Sequence, residues 1–250
     1  MLSSGKFYGN KGNCMIVSIH QPSYFPWLGW LHKVMQSDTF VLMDNVQLSD
    51  SAYQHRNIFL TNTGSEKFLS VGIKKKGYKD VFLKDIELRM DFKWQEEHLR
   101  FLNANYGKHP FYNEVMEHVA PVFNKSYEVL GEVLSDVVSI TLEMFEVKTT
   151  VIKQSEMDYD ASAKKGDLVL ALIKACGGKT YLSGHGAKDY MTDDVFTENG
   201  INLVYQQFTH PRYTQLNTGN DPVKFIPGIA SLDILFNVGI AESRRILHGI

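Results

Sequence analysis

Three side chains in this sequence are of the type and placement that move protons: His20, Asp44 and His185. An imidazole titrates near neutral pH and can take a proton from an attacking amine or hydroxyl. Asp44 could align such a ring or hold the cationic amine of a substrate. Around His185 the run Ser183-Gly184-His185-Gly186 sets two glycines beside the histidine, so that backbone N–H groups could face an oxyanion or a phosphate. Each feature also has a purely structural use: His20 as a cap on the turn at Pro22, and Ser183-Gly184 as a tight turn with no ligand.

The most informative stretch is His20-Gln21-Pro22-Ser23-Tyr24-Phe25-Pro26-Trp27-Leu28-Gly29-Trp30. Gln21 supplies a carboxamide, and Tyr24, Phe25 and Trp27 supply flat rings that could stack on a base or a sugar. The two prolines fix the path of the loop by locking φ. Further polar candidates are Asn45 after Asp44, the Arg56-Asn57 pair, and the loop Lys74-Lys75-Lys76-Gly77-Tyr78-Lys79, in which Lys74 and Lys75 with Arg56 could meet phosphates. The more common use of such a lysine cluster is a solvated turn.

Regular elements must bring these residues together. Ile16, Val17 and Ile19 predict a strand that ends at His20, residues 28–35 a helix, and Phe40-Val41-Leu42-Met43 a second strand that ends at Asp44. A strand is expected over 67–73, helices over 94–145 with a break at Gly107-Lys108-His109-Pro110, and a strand over 147–152. A helix follows over 167–176, then strands at 180–182 and 202–206 with helical material between them. Alternation of this kind predicts an α/β fold: a largely parallel sheet flanked by helices, with a helical middle segment near 93–146. Parallel strands place His20, Asp44 and Ser183 at one edge of the sheet, where ligands of open α/β folds bind.

The chain reads as a single domain over 15–250, with residues 1–14 a disordered extension or the remnant of a tag. With 250 residues, 44% hydrophobic and 22% charged, it has the balance of a globular protein with one core. A net charge of −2 gives no general attraction to nucleic acid or to anionic membranes. No apolar run approaches the roughly 20 residues that span a bilayer. Cys14 and Cys176 are too few for a disulfide framework or a metal set, which fits a reducing cytoplasm. Cys176, in an apolar helix end, reads as structural, as do His98 and His118 within helices. His210 and Arg212 could meet an anion, although a turn is the simpler reading. Asp233 among apolar neighbours reads as a buried carboxylate with partners.

The opening motif, the run Asp44-Asn45-Val46-Gln47, Arg56-Asn57, Tyr181-Leu182-Ser183-Gly184, the block from Tyr205 to Tyr213 and Ser231-Leu232-Asp233 resemble the WbqC-like family. The resemblance runs over nearly the whole chain. Members are similar to proteins encoded among bacterial surface-polysaccharide (O-antigen, lipopolysaccharide) genes. That implies an N-acyl or aminoacyl transferase acting on an amino sugar, most readily a nucleotide-linked one, with a thioester or activated aminoacyl donor that an acyl carrier protein could present. No tightly bound cofactor and no metal are expected, and the oligomeric state stays open. The strand-loop-helix opening is also similar to nucleotidylyltransferases of the HIGH type, although the expected His-x-Gly-His is missing. A non-catalytic reading, a carbohydrate-binding or assembly protein using Tyr24, Phe25, Trp27 and Trp30, completes the alternatives.

Overall fold

The computed structural model describes residues 15–49, 53–184 and 193–250. Five short strands form a parallel sheet: β1 (Ile16–His20), β2 (Thr39–Leu42), β5 (Thr150–Lys153), β6 (Thr180–Ser183) and β7 (Asn202–Tyr205), in the spatial order β5-β2-β1-β6-β7. Register pairs Ser18 with Phe40 on one side and Leu182 on the other. A separate antiparallel ribbon joins β3 (Arg56–Leu60) to β4 (Glu66–Ser70).

Both faces of the sheet are covered, which is why the β2 residues Thr39–Leu42 are buried at every position. On one face Phe40 and Leu42 pack with Leu28, Leu31 and Val34 of α1 (Leu28–Met35). The same core continues into a helical cap: α2 (Trp94–Tyr106), α3 (Tyr112–Asn124), α4 (Leu130–Met144) and the C-terminal α7 (Leu232–His248). On the other face Val17, Ile19 and Val41 meet α5 (Gly166–Ala175), and Phe196 of α6 (Asp193–Glu198). In α7 the backbone is non-helical at Gly239, with φ of 80°, and a Cβ there would lie 2.7 Å from the Phe111 ring. Glycine is what allows the kinked helix to close on the start of α3.

The expected α/β class therefore holds, with the helical segment formed by α2 to α4. It differs in detail. The helices break at 125–129 as well as at 107–111, and β3 extends the chain where only β4 was expected. Residues 1–14 and 185–192 lie outside the described residues, so the expected extension and His185 do as well.

The topology decides where a ligand can sit. From β1 the chain moves to β2 and β5 on one side, then returns to build β6 and β7 on the other. The order of winding reverses between β1 and β6, so the flanking loops diverge there and leave a crevice outside the carboxyl ends. His20 is the last residue of β1, at that crevice.

Candidate functional site

One face of α1 and its following turn runs along β1, because Trp30, Lys33 and Ser37 are spaced three and four apart. Trp30 Nε1 donates to the Gln21 carbonyl at 3.1 Å, Lys33 Nζ to the Ile19 carbonyl at 3.0 Å, and Ser37 Oγ to Ser18 Oγ at 2.5 Å. The loop between strand and helix is held from the hairpin: Asn57 Nδ2 donates at 2.9 Å to the carbonyls of both Tyr24 and Phe25. Phe25 sits there at φ of 44°, a left-handed conformation that L side chains avoid, and packing against Phe59 and Phe123 keeps it. Gly29 permits the next contact. A Cβ at that position would fall 2.2 Å from the Trp27 indole, so glycine lets this ring fold against the first turn of α1.

These constraints build a cavity of about 420 Å³ lined by His20, Gln21, Trp27, Trp30, Tyr53 and Gln54, with Pro22, Ser23, Ser49 and Gly228 completing the wall. His20 Nδ1 lies 2.9 Å from the Gln21 carbonyl. A carbonyl oxygen only accepts, so Nδ1 carries the hydrogen and Nε2 keeps its lone pair. The ring is open to the cavity mouth but hemmed by protein, and it feels the Lys33 ammonium. Reduced solvation first and that charge second push its pKa well below the ordinary value, leaving a neutral imidazole at pH 7. The Trp30 ring stands edge-on to it at 6.5 Å.

Lys33 is buried, with a single carbonyl as partner among the described residues and no carboxylate among them to offset the cost of desolvation, which pushes its amine down to about 7. The β1–β6 ladder pairs Ser18 with Leu182 as its last step, and the next carbonyl of β1, that of Ile19, accepts Lys33 instead. The lysine thus occupies the point where the two strands separate. Gln54 is also buried: its Nε2 donates to Gln21 Oε1, and its own Oε1 has no partner.

Asp44 does not align His20. Its oxygens accept from the Ser155 N–H at 2.9 Å and the Ser155 hydroxyl at 2.5 Å, across the β2–β5 boundary. It lines a second cavity of about 390 Å³, rich in charge from Lys84, Lys125, Lys153, Glu132 and Asp136, which shares Pro22 with the first. The two cavities are neighbours along one sheet edge.

Other expected site residues fall elsewhere. Tyr24 and Phe25 are fully buried, so neither ring can stack on a ligand, whereas Trp27 is 38% exposed. Tyr24 instead donates its hydroxyl hydrogen to His98 Nδ1 at 2.8 Å inside a cluster with Trp94 and Phe123. Trp30 is buried too, which removes the flat aromatic docking face. Asn57 is a loop anchor, and Asn45 reaches Tyr159 at 3.4 Å. Ser183 is buried, and neither it nor Gly184 lines the His20 cavity. Lys74 pairs with Glu87 at 2.6 Å. Arg56 and Lys75 lie on and beside the hairpin. Cys176 is buried, its thiol pushed up to about 11 by desolvation, as a structural cysteine requires.

Sequence reasoning missed Tyr53, Gln54 and Lys33 as functional candidates. No motif marks the first two. Lys33 stood inside the predicted helix over 28–35, but only the structure reveals that it has no counter-charge among the described residues.

No helix among the described residues is long and apolar enough to cross a membrane. The profile of the WbqC-like protein family matches residues 21–245, beginning one residue after His20. An uncharacterized protein of Mycobacterium tuberculosis, Rv1507c, is 25% identical over 225 residues, covering 89% of this chain and 94% of its own length. No solved structure matches the chain.

Proposed function

From its place as a member of the WbqC-like family, which the match over 21–245 establishes, we propose that this protein is an N-acyl or aminoacyl transferase acting on an amino sugar in the assembly of a surface polysaccharide. The observation that carries the reading is the neutral His20 imidazole with Nε2 free, in a cavity at the sheet's winding reversal.

The reaction balances without a further reagent. The sugar nitrogen attacks the acyl carbonyl and a C–N bond forms; the nitrogen becomes strongly acidic as it does so, and Nε2 accepts its proton. When the bond to the leaving group breaks, the C–S bond if the donor is a thioester, the same proton passes to the departing atom. Nε2 is unprotonated at neutral pH and so able to accept, while the depressed pKa makes it a weaker base than an ordinary imidazole. Trp27 offers an apolar ring for the C–H face of a sugar, and the Gln21 and Gln54 carboxamides suit its hydroxyl groups. In this reading Asp44, which lines the neighbouring cavity and is oriented by Ser155, would hold the ammonium group of an aminoacyl donor. Purified protein mixed with nucleotide-linked amino sugars and acyl or aminoacyl thioesters should give an amide, detected by mass spectrometry. Its absence over a broad donor panel contradicts the reading.

The strand order favours one second reading, a nucleotide-binding enzyme of the nucleotidylyltransferase kind, since this winding places a nucleotide at the same crevice. Trp30 stands after Gly29 where such enzymes need a second histidine, and Lys74 is paired with Glu87. Release of pyrophosphate from a nucleoside triphosphate, in place of amide formation, distinguishes the two.

A further inference from the structure

The β3–β4 hairpin adjoins the His20 cavity through Tyr53, which lines it. Side chains alternate across the ribbon. Because Arg56 pairs with Ser70 and Ile58 with Phe68, Arg56 and Phe68 are diagonal neighbours on one face. The guanidinium lies over the Phe68 ring at 4.7 Å, and the Tyr53 and Phe68 rings are 6.0 Å apart. Both rings are strongly exposed, 44% for Tyr53 and 43% for Phe68, an uncommon state for neighbouring aromatics.

The charge on this strip is unbalanced. Arg56 Nε and His55 Nδ1 are buried and lack hydrogen-bond partners. Lys75 is close enough to His55 to act on its protonation. Among the described residues no carboxylate pairs with Arg56 or Lys75, although Glu87 holds Lys74. Glu66 stands two residues beyond Phe68, at the far end of the strand.

We propose that this hairpin face is a nucleoside diphosphate subsite, with Arg56 taking the phosphates and Phe68 and Tyr53 the base. The chemistry fits: a guanidinium with no carboxylate partner among the described residues suits a phosphate, and exposed rings accept any base by stacking. The strip runs directly into the His20 cavity, so a sugar on the second phosphate enters that cavity. The inference deepens the transferase reading by naming the carrier of the sugar, and rests on it only for the group that lies beyond the diphosphate.

Calorimetric titration of the full chain with UDP, ADP and inorganic pyrophosphate at low and high salt tests it. Both nucleotides should bind, more weakly as salt rises. Arg56→Gln should weaken nucleotide binding about tenfold, and Arg56→Lys should restore part of it. Phe68→Ala should weaken UDP and ADP about tenfold while leaving pyrophosphate unchanged. No binding at millimolar nucleotide by the wild-type protein overturns the proposal, as does affinity indifferent to Arg56→Gln in a variant with a native melting curve. A fall in sedimenting mass on Phe68→Ala, with unchanged nucleotide affinity, also overturns it and makes the face a contact between copies of the chain. His20→Gln separates the two readings: it should slow amide formation at least a hundredfold and leave UDP binding intact.

Discussion

Asp233 and Lys33 are both buried ionisable groups, and the molecule treats them in opposite ways. Asp233 accepts from the Tyr106 hydroxyl at 3.0 Å, the Tyr213 hydroxyl at 2.7 Å and Gln215 Nε2 at 3.0 Å. Tyr106 in turn accepts the Leu60 N–H at 2.8 Å, so one carboxylate ties the hairpin, α2, α7 and the segment after β7 together. Among the described residues Lys33 has one carbonyl and no opposing charge. The first arrangement is what a fold needs to keep a polar group inside. The second is costly to a fold and is found beside the cavity, as expected where ligand chemistry rather than stability sets the environment.

The largest effect expected from this contrast is on stability. Asp233→Ala should strand three donors at about 1 to 3 kcal/mol each, so a loss of roughly 4 kcal/mol or more is expected in urea unfolding. A loss below about 1 kcal/mol breaks the comparison from the structural side. On the functional side, His20→Gln should keep the melting temperature and lower turnover by about 10² to 10⁴-fold.

A third group sharpens the contrast by pH. His98 is buried and neutral, its Nδ1 accepting from Tyr24 and its ring also bonded to the Ser70 backbone, and desolvation lowers its pKa from 6.5 to about 4. The folded state then binds fewer protons than the unfolded chain, so stability is intact above pH 6.5 and declines as pH falls from there toward 4. The decline from this residue should approach about 3 kcal/mol, and His98→Gln should flatten it in urea midpoints taken from pH 7 to 4.

Smaller effects follow. Trp27→Ala should weaken sugar binding by roughly 1 to 2 kcal/mol, measured by calorimetry, without altering the fold. The smallest stability change, of opposite sign to that of Asp233→Ala, belongs to Lys33→Met. Removing an unpaired buried ammonium should leave stability equal or raise it by about 1 kcal/mol. Marked destabilisation would place Lys33 with Asp233 as a structural group.

Much of the scaffold was legible in the sequence because the central strands are apolar runs closed by polar residues. Ile16 to Ile19 and Phe40 to Met43 declare themselves in that way, and parallel pairing follows from the helices between strands. The hairpin strand Arg56–Leu60 did not, since it begins with two polar residues and belongs to a separate ribbon. The break at 125–129 carries no glycine or proline to mark it.

The candidate site was legible only in outline. His20, Gln21 and Trp27 stand together at the cavity, while Tyr24 and Phe25, from the same run, point into the core. A ring-rich loop reads the same whichever way its rings face. The direction is set by Asn57, Trp94 and Phe123, residues about 30 to 100 positions further on, whose proximity only the folded chain creates. Asp44 was placed at the correct edge of the sheet, but the next strand over, with Ser155, claims it.

The account turns on the state of one ring, and nitrogen-detected NMR of ¹⁵N-histidine-labelled protein reads it directly. His20 should show Nδ1 protonated and Nε2 bare at pH 7, and should stay neutral at least one pH unit below an ordinary histidine. A His20 signal that titrates at or above 6.5, or that carries its hydrogen on Nε2, contradicts the account.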